Sequence, residues 1–137
     1  MAVSNKLNTR TKKPDLSPLL YGKMPPQASD LENAVLGAIM LEPAKLAEVL
    51  EIIQSPDCFY SDANQRIYAA IRILFDKGSR IDFMTVCEDL RKNSELEMVG
   101  GSYYVTSLTR DVVSSAHIEE HARIVMQKYI MRGLIRM

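Results

Sequence analysis

The chain has 137 residues, 47% hydrophobic and 25% charged, proportions that fit one globular domain with a core and exclude a disordered or fibrous chain. Seventeen Lys and Arg balance seventeen Asp and Glu, which excludes a strong overall field towards nucleic acid or an anionic membrane. The balance is uneven, since residues 1–24 hold Lys6, Arg10, Lys12, Lys13 and Lys23 against Asp15, a net of +4, and the remainder carries −4.

Residues 1–24 are polar and basic, include Pro14 and Pro18, and read as a disordered arm closed by Pro25-Pro26. Ser29-x-x-Glu32 has the form of a capping box, in which the Ser oxygen accepts a helical N–H and the Glu reaches back to the cap. Leu31, Ala34, Val35, Ala38 and Ile39 then recur at helical spacing and predict a first helix to about Leu41. Pro43 suits the first turn of a second helix, where its missing N–H costs nothing, with Leu46, Val49, Leu50 and Ile53 as the apolar stripe. Ser55-Pro56-Asp57 breaks that helix.

Ser61 and Asp62 open a third helix with Ile67, Ala70, Ile71, Leu74 and Phe75 on one face, and Gly78 stands where a left-handed cap is needed. Asp82 is the N-cap of a fourth helix, Phe83 to about Lys92, that buries Val86, Cys87 and Leu90. After Gly100-Gly101 a fifth short helix is predicted from Ser102 to about Thr109, and a last one from Ser114 or Ser115 to the chain end. No segment alternates like a strand with hairpin signals, so the fold class is all-α, a compact array of about six helices.

The last helix is apolar on two faces. Ile118, Ala122, Val125 and Tyr129 form one seam, and Ile124, Met131, Leu134 and Ile135 form a second strip. Two apolar faces call for two partners. No sequence after Met137 supplies the second, so the expectation is a structure continued by a further segment or completed by another copy of the chain.

Several patterns with chemical meaning reduce to ordinary surface or core. His117-Ile118-Glu119-Glu120-His121 matches the H-x-x-E-H pattern of inverted zinc proteases. A catalytic zinc needs a third protein ligand, and no carboxylate, histidine or cysteine stands between Ala122 and Met137; two surface imidazoles are expected and no metal. The only Gly-Lys, Gly22-Lys23, lacks the preceding glycine and following Ser or Thr of a phosphate-binding loop. Glu88-Asp89 and Glu119-Glu120 read as solvated faces, Ser114 and Ser115 as caps, and Tyr103-Tyr104 as one core and one surface aromatic. No catalytic, cofactor-binding or metal residue is expected. Cys58 and Cys87 read as buried free thiols of a reducing cytoplasm, and no apolar run is long enough for a membrane span or a secretory signal.

From Pro25 onward the chain resembles a known family. The matching blocks are Pro25-Pro26-Gln27, Glu32-x-Ala34-Val35-Leu36-Gly37-Ala38, Phe59-Tyr60, and Gln65-x-Ile67-Tyr68-x-Ala70-Ile71. They continue with Gly78-x-x-Ile81-Asp82-x-x-Thr85-Val86, Leu96-Glu97-x-Val99-Gly100-Gly101-x-x-Tyr104, and Ile118-Glu119-x-x-Ala122-Arg123-Ile124-Val125. In order and spacing they resemble the N-terminal domain of the DnaB-type bacterial replicative DNA helicase.

The resemblance implies a two-layered hexameric motor. Its N-terminal collar is a trimer of dimers, and its C-terminal RecA-like ring uses ATP and Mg to move along single-stranded DNA. Residues 25–137 would be the collar domain, ending before the second arm of a helical hairpin and the ATPase domain. The implied partners are further copies of the chain, the C-terminal domain of primase, and single-stranded DNA through the other domain. Ile124, Met131, Leu134 and Ile135 are the expected oligomer contacts, while Asp30, Tyr104 and Ile135 lie at positions that can face primase. This chain departs from the family with Asn64 where His is frequent, Val113 where Pro is usual, and His117 and His121 where Asn and Tyr are common. The competing readings are a helical protein–protein adaptor unrelated to replication and a metal hydrolase built on His117 and His121.

Overall fold

The computed structural model describes residues 25–112 and 114–136; the basic arm and Val113 lie outside the described residues. Helix α1 covers Ser29–Leu41. Pro43–Lys45 form a 3-10 turn that runs into α2, Leu46–Ile52, and Pro56–Cys58 form a second such turn. Then come α3, Asp62–Asp76; α4, Phe83–Lys92; α5, Gly101–Arg110; and α6, Ile118–Arg136. Among the described residues there are these six helices and no strand, as the periodicity predicts.

The helix ends show where local signals act. Ser61 Oγ accepts the N–H of Asn64 at the start of α3. At the other end Gly78, with φ +69°, lets its own N–H reach Phe75 O and that of Ser79 reach Leu74 O, a Schellman closure. Asp82 and Thr85 exchange side-chain and backbone bonds at 2.9 Å each way, a complete capping box.

The capping box expected at Ser29 does not form. The N-cap of α1 is Ala28, and the first-turn donors Ser29 N and Ser29 Oγ are taken by Gln27 Oε1 at 3.0 and 2.6 Å. Glu32 turns inward instead. The last helix also starts later than Ser114 or Ser115, at Ile118. Ser114 Oγ accepts the N–H of Ala116 in the preceding turn, and Ser115 Oγ donates to Glu42 at 2.7 Å, so both hydroxyls hold the connection rather than the helix start.

Helix α1 is central, packed on α3, α5 and α6, and every residue from Val35 to Met40 is buried. Its contact with α5 is close: a Cβ on Gly37 would stand 2.1 Å from Leu108 O. Helix α4 joins α3 to α5, and α2 lies on α6. Phe59 and Tyr68 pack in the core with ring centroids 4.9 Å apart and planes tilted by 46°, and Tyr68 OH donates to Ile53 O at 2.6 Å. Phe75, placed by periodicity on the buried face of α3, is exposed, because the helix ends at Asp76 and no neighbour covers its last turn there. Asp89 is buried although its pair with Glu88 reads as a solvated face; Glu88 faces solvent beside Arg91.

Candidate functional site

Two buried polar assemblies and one exposed apolar strip set this surface apart from plain packing. The first assembly begins at Glu32, 1% exposed. Its Oε2 accepts the N–H of Tyr60 at 2.7 Å, and Oε1 takes the N–H of Ser61 at 3.4 Å and Asn64 Nδ2 at 3.1 Å. A carboxylate here answers the unpaired donors and positive dipole end of α3 from across the core. Asn64 Nδ2 also donates to Asn33 Oδ1, and Tyr104 OH lies 2.7 Å from Asn64 Oδ1 and 3.2 Å from Asn33 Oδ1. Burial pushes the Tyr104 hydroxyl above its ordinary value, so it stays a neutral donor.

The second assembly is centred on Arg132, 5% exposed. Its guanidinium donates to Pro26 O at 2.8 Å and Cys58 O at 2.9 Å, and lies over the rings of Tyr60 and Tyr129 at 5.4 and 5.7 Å. Arginine suits this place because its planar fork bonds two carbonyls while its faces meet aromatic rings. The residue continues the seam of Ile118, Ala122 and Val125, all three buried. Tyr129, expected in that seam, is partly exposed because its ring lies against the guanidinium rather than in the apolar core.

On the other face of α6, Ile130, Met131, Leu134 and Ile135 are 39–63% exposed, and Ile124 is partly buried. Asp30 is exposed and lines a cleft of about 270 Å³ between α1 and α5, with Asn33, Ala34, Ser107, Leu108, Asp111 and Val112. Tyr104 meets this cleft through Asn33, whereas Ile135 lies apart from it on α6. Of the two adjacent tyrosines, Tyr103 is exposed beneath the Arg110 guanidinium and Tyr104 is half-buried, one surface and one core ring as the sequence suggests.

A family model described as the DnaB-like helicase N terminal domain matches residues 24–127. The chain belongs to that family. The replicative DNA helicase DnaB of Rhodothermus marinus is 45% identical over 111 residues, 81% of this chain and 12% of that protein. The replicative DNA helicase DnaC of Bacillus subtilis is 42% identical over 121 residues, 88% of this chain and 26% of that protein. The crystal structure of the N-terminal domain of DnaB helicase from Mycobacterium tuberculosis matches with a TM-score of 0.79 and 34% identity, covering 82% of this chain and 81% of that one. The chain thus spans between 12% and 26% of the length of these two helicases.

Membership in the helicase N-terminal domain family displaces both competing readings, the unrelated adaptor and the metal hydrolase. In this domain His117 and His121 have ring centroids 6.3 Å apart at the start of α6, and His117 Nδ1 lies 3.8 Å from Glu120. Among the described residues no three of His, Cys, Asp and Glu are grouped to hold a metal ion. Among the described residues no helix is long and apolar enough to cross a membrane. Cys58 and Cys87 are buried free thiols, and burial raises both above the ordinary value.

Sequence reasoning missed Arg132 and the inward role of Glu32. A signal for the first was present: Arg132 falls three residues after Tyr129, continuing the spacing of the buried seam. None marked Glu32, whose partners lie about thirty residues away.

Proposed function

We propose that this domain is the collar module of a hexameric replicative DNA helicase, which joins subunits as a trimer of dimers and docks the C-terminal domain of primase at the replication fork. The observation that carries the reading is the apolar strip Ile130, Met131, Leu134 and Ile135, left exposed on α6 in a chain of this family. Exposed apolar surface costs about 25 cal/mol per Å², so a few hundred Å² favours a partner. In this reading the first occupant is the second arm of a helical hairpin together with a neighbouring subunit, and in the isolated domain it is a second copy of α6. Ile124 lies at the edge of this contact. ATP, Mg and single-stranded DNA belong to a RecA-like domain; the chain itself contains no G-x-x-x-x-G-K-[ST] segment. The reading also places the protein in the bacterial cytoplasm. Asp30, Tyr104 and Ile135 are the proposed primase-facing residues.

Sedimentation equilibrium of the native domain and of Met131→Glu plus Ile135→Glu tests the association. The expected result is a weak dimer that the double substitution abolishes; a native monomer at millimolar concentration, or equal dimerisation of both, overturns it. Calorimetric titration with a primase C-terminal domain tests docking, with Asp30→Lys expected to weaken binding.

A further inference from the structure

From Tyr129 to Ile135 the face of α6 turned to the body carries one buried residue, Arg132; Tyr129, Ile130, Met131, Gly133, Leu134 and Ile135 are all exposed. The previous fully packed residue is Val125, seven positions earlier, which at a rise of about 1.5 Å per residue is roughly 10 Å along the helix. The distal half of α6 is therefore fastened to the rest of the domain chiefly through one guanidinium. Its acceptors belong to two separate segments, Pro26 before α1 and Cys58 in the turn before α3. Tyr60, whose ring faces the guanidinium, is itself fixed through its backbone N–H by Glu32.

We propose that Arg132 is the positioning residue of the association surface: it locks the distal half of α6 at one angle and so presents Ile130, Met131, Leu134 and Ile135 as a fixed face. Its side chain is buried against the body, with Ile130 and Leu134 on the far side of the helix, and does not enter the contact. The inference rests on the association reading above for its consequence, and on the geometry alone for the latch. An isolated stretch of about three helical turns has little stability of its own, so loss of its tether lets it fray. A frayed strip must be ordered when it binds, and that cost weakens association without removing any contact.

The test compares the native domain with Arg132→Met, Arg132→Lys and Val86→Ala. The last is a buried change on α4, which packs on α3 and α5, and it supplies general destabilisation far from α6. Two readouts are taken: dimer affinity by sedimentation equilibrium, and amide hydrogen exchange of residues 126–136. Arg132→Met is expected to weaken the dimer about ten-fold or more, the scale of a lost charge-assisted hydrogen bond. Exchange should accelerate within 126–136 beyond any change in α3 or α4. Arg132→Lys, which keeps the charge but not the fork, should fall between native and Met. Val86→Ala should lower the melting temperature and leave affinity within about two-fold, since distant sites add independently. The proposal is overturned if Arg132→Met dimerises like the native domain, or if exchange at 126–136 is unchanged. Should the native domain be monomeric, the association reading fails, and the exchange comparison alone still decides whether Arg132 is the latch.

Discussion

The carboxylate of Glu32 on α1 accepts the backbone N–H of Tyr60, 28 residues further along the chain, at 2.7 Å. It thereby fixes, from another helix, the segment leading into α3, while Ser61 caps α3 within its own turn. Glu32→Ala is expected to destabilise the domain by about 3 kcal/mol, because it strands the N–H of Tyr60 and an amide hydrogen of Asn64 in the core. Glu32→Gln keeps one acceptor and should cost roughly 1–2 kcal/mol. Urea melts of the three proteins give the comparison, and equal stability of Ala and native would remove Glu32 from this role.

Two glycines in helices should respond oppositely to the same change. At Gly37 an added methyl would meet Leu108 O at 2.1 Å and Val112 Cγ2 at 2.5 Å. The nearer contact is backbone and cannot give way cheaply, so overpacking of roughly 1–3 kcal/mol or more exceeds the gain in helix propensity of about 1 kcal/mol. At Gly133 nothing lies within 4 Å of the new Cβ, so Ala there should stabilise by up to about 1 kcal/mol. Thermal melts at low protein concentration should show the two midpoints moving in opposite directions.

Leu36 and Ile71 are wholly buried on α1 and α3. Truncation of either to Ala should cost about 2–5 kcal/mol through lost transfer energy and the cavity left behind. A loss below about 1 kcal/mol in denaturant titrations would mean the core had collapsed around the gap or never enclosed the residue.

Stability should fall on the alkaline side. Burial raises the folded-state values of Cys58 and Cys87 above the ordinary 9.0, and those of Tyr68 and Tyr104 above the ordinary 10.0. Between unfolded and folded values the native chain holds protons that the unfolded chain has released, so the slope of stability with pH is negative there. The stabilisation is complete below about pH 9 and is lost as pH rises through the folded-state values. Urea midpoints taken from pH 7 to 11 should decline from about pH 9, and Tyr68→Phe with Cys58→Ala should flatten the decline.

The parts of this fold that the sequence reveals are those decided within one helical turn. Asp82 with Thr85, Ser61 with Asn64, and Gly78 after α3 are local bonds, and all three lie where spacing places them. The resemblance of ordered motifs supplied the family, which no single local signal could. What spacing misplaced involves long-range partners. Ser29-x-x-Glu32 has the form of a cap, but acceptors are needed more at the start of α3 than at the start of α1, where Gln27 serves. Ser115 is drawn to Glu42, 73 residues earlier, and so α6 starts at Ile118. Arg132 breaks the rule that a charged residue marks the wet side of a helix, because two carbonyls and two rings replace water around it. Of the α6 residues expected at a contact, Met131, Leu134 and Ile135 are exposed and Ile124 is partly buried, whereas Tyr104 is half-buried with its hydroxyl bonded to Asn64.

The bond from Arg132 to Pro26 spans 106 positions of sequence and joins the segment entering α1 to the distal part of α6. A tensile load applied between those two regions would meet the guanidinium and its carbonyls first, then the packing of α6 on α1 and α2, before it strained the packing among α1, α3, α4 and α5. Under such a pull the domain would peel from α6 inward, with its interior still assembled. Neighbouring molecules tugging on that helix would therefore work against a breakable pin, and the energy stored in the rest of the fold would be spared.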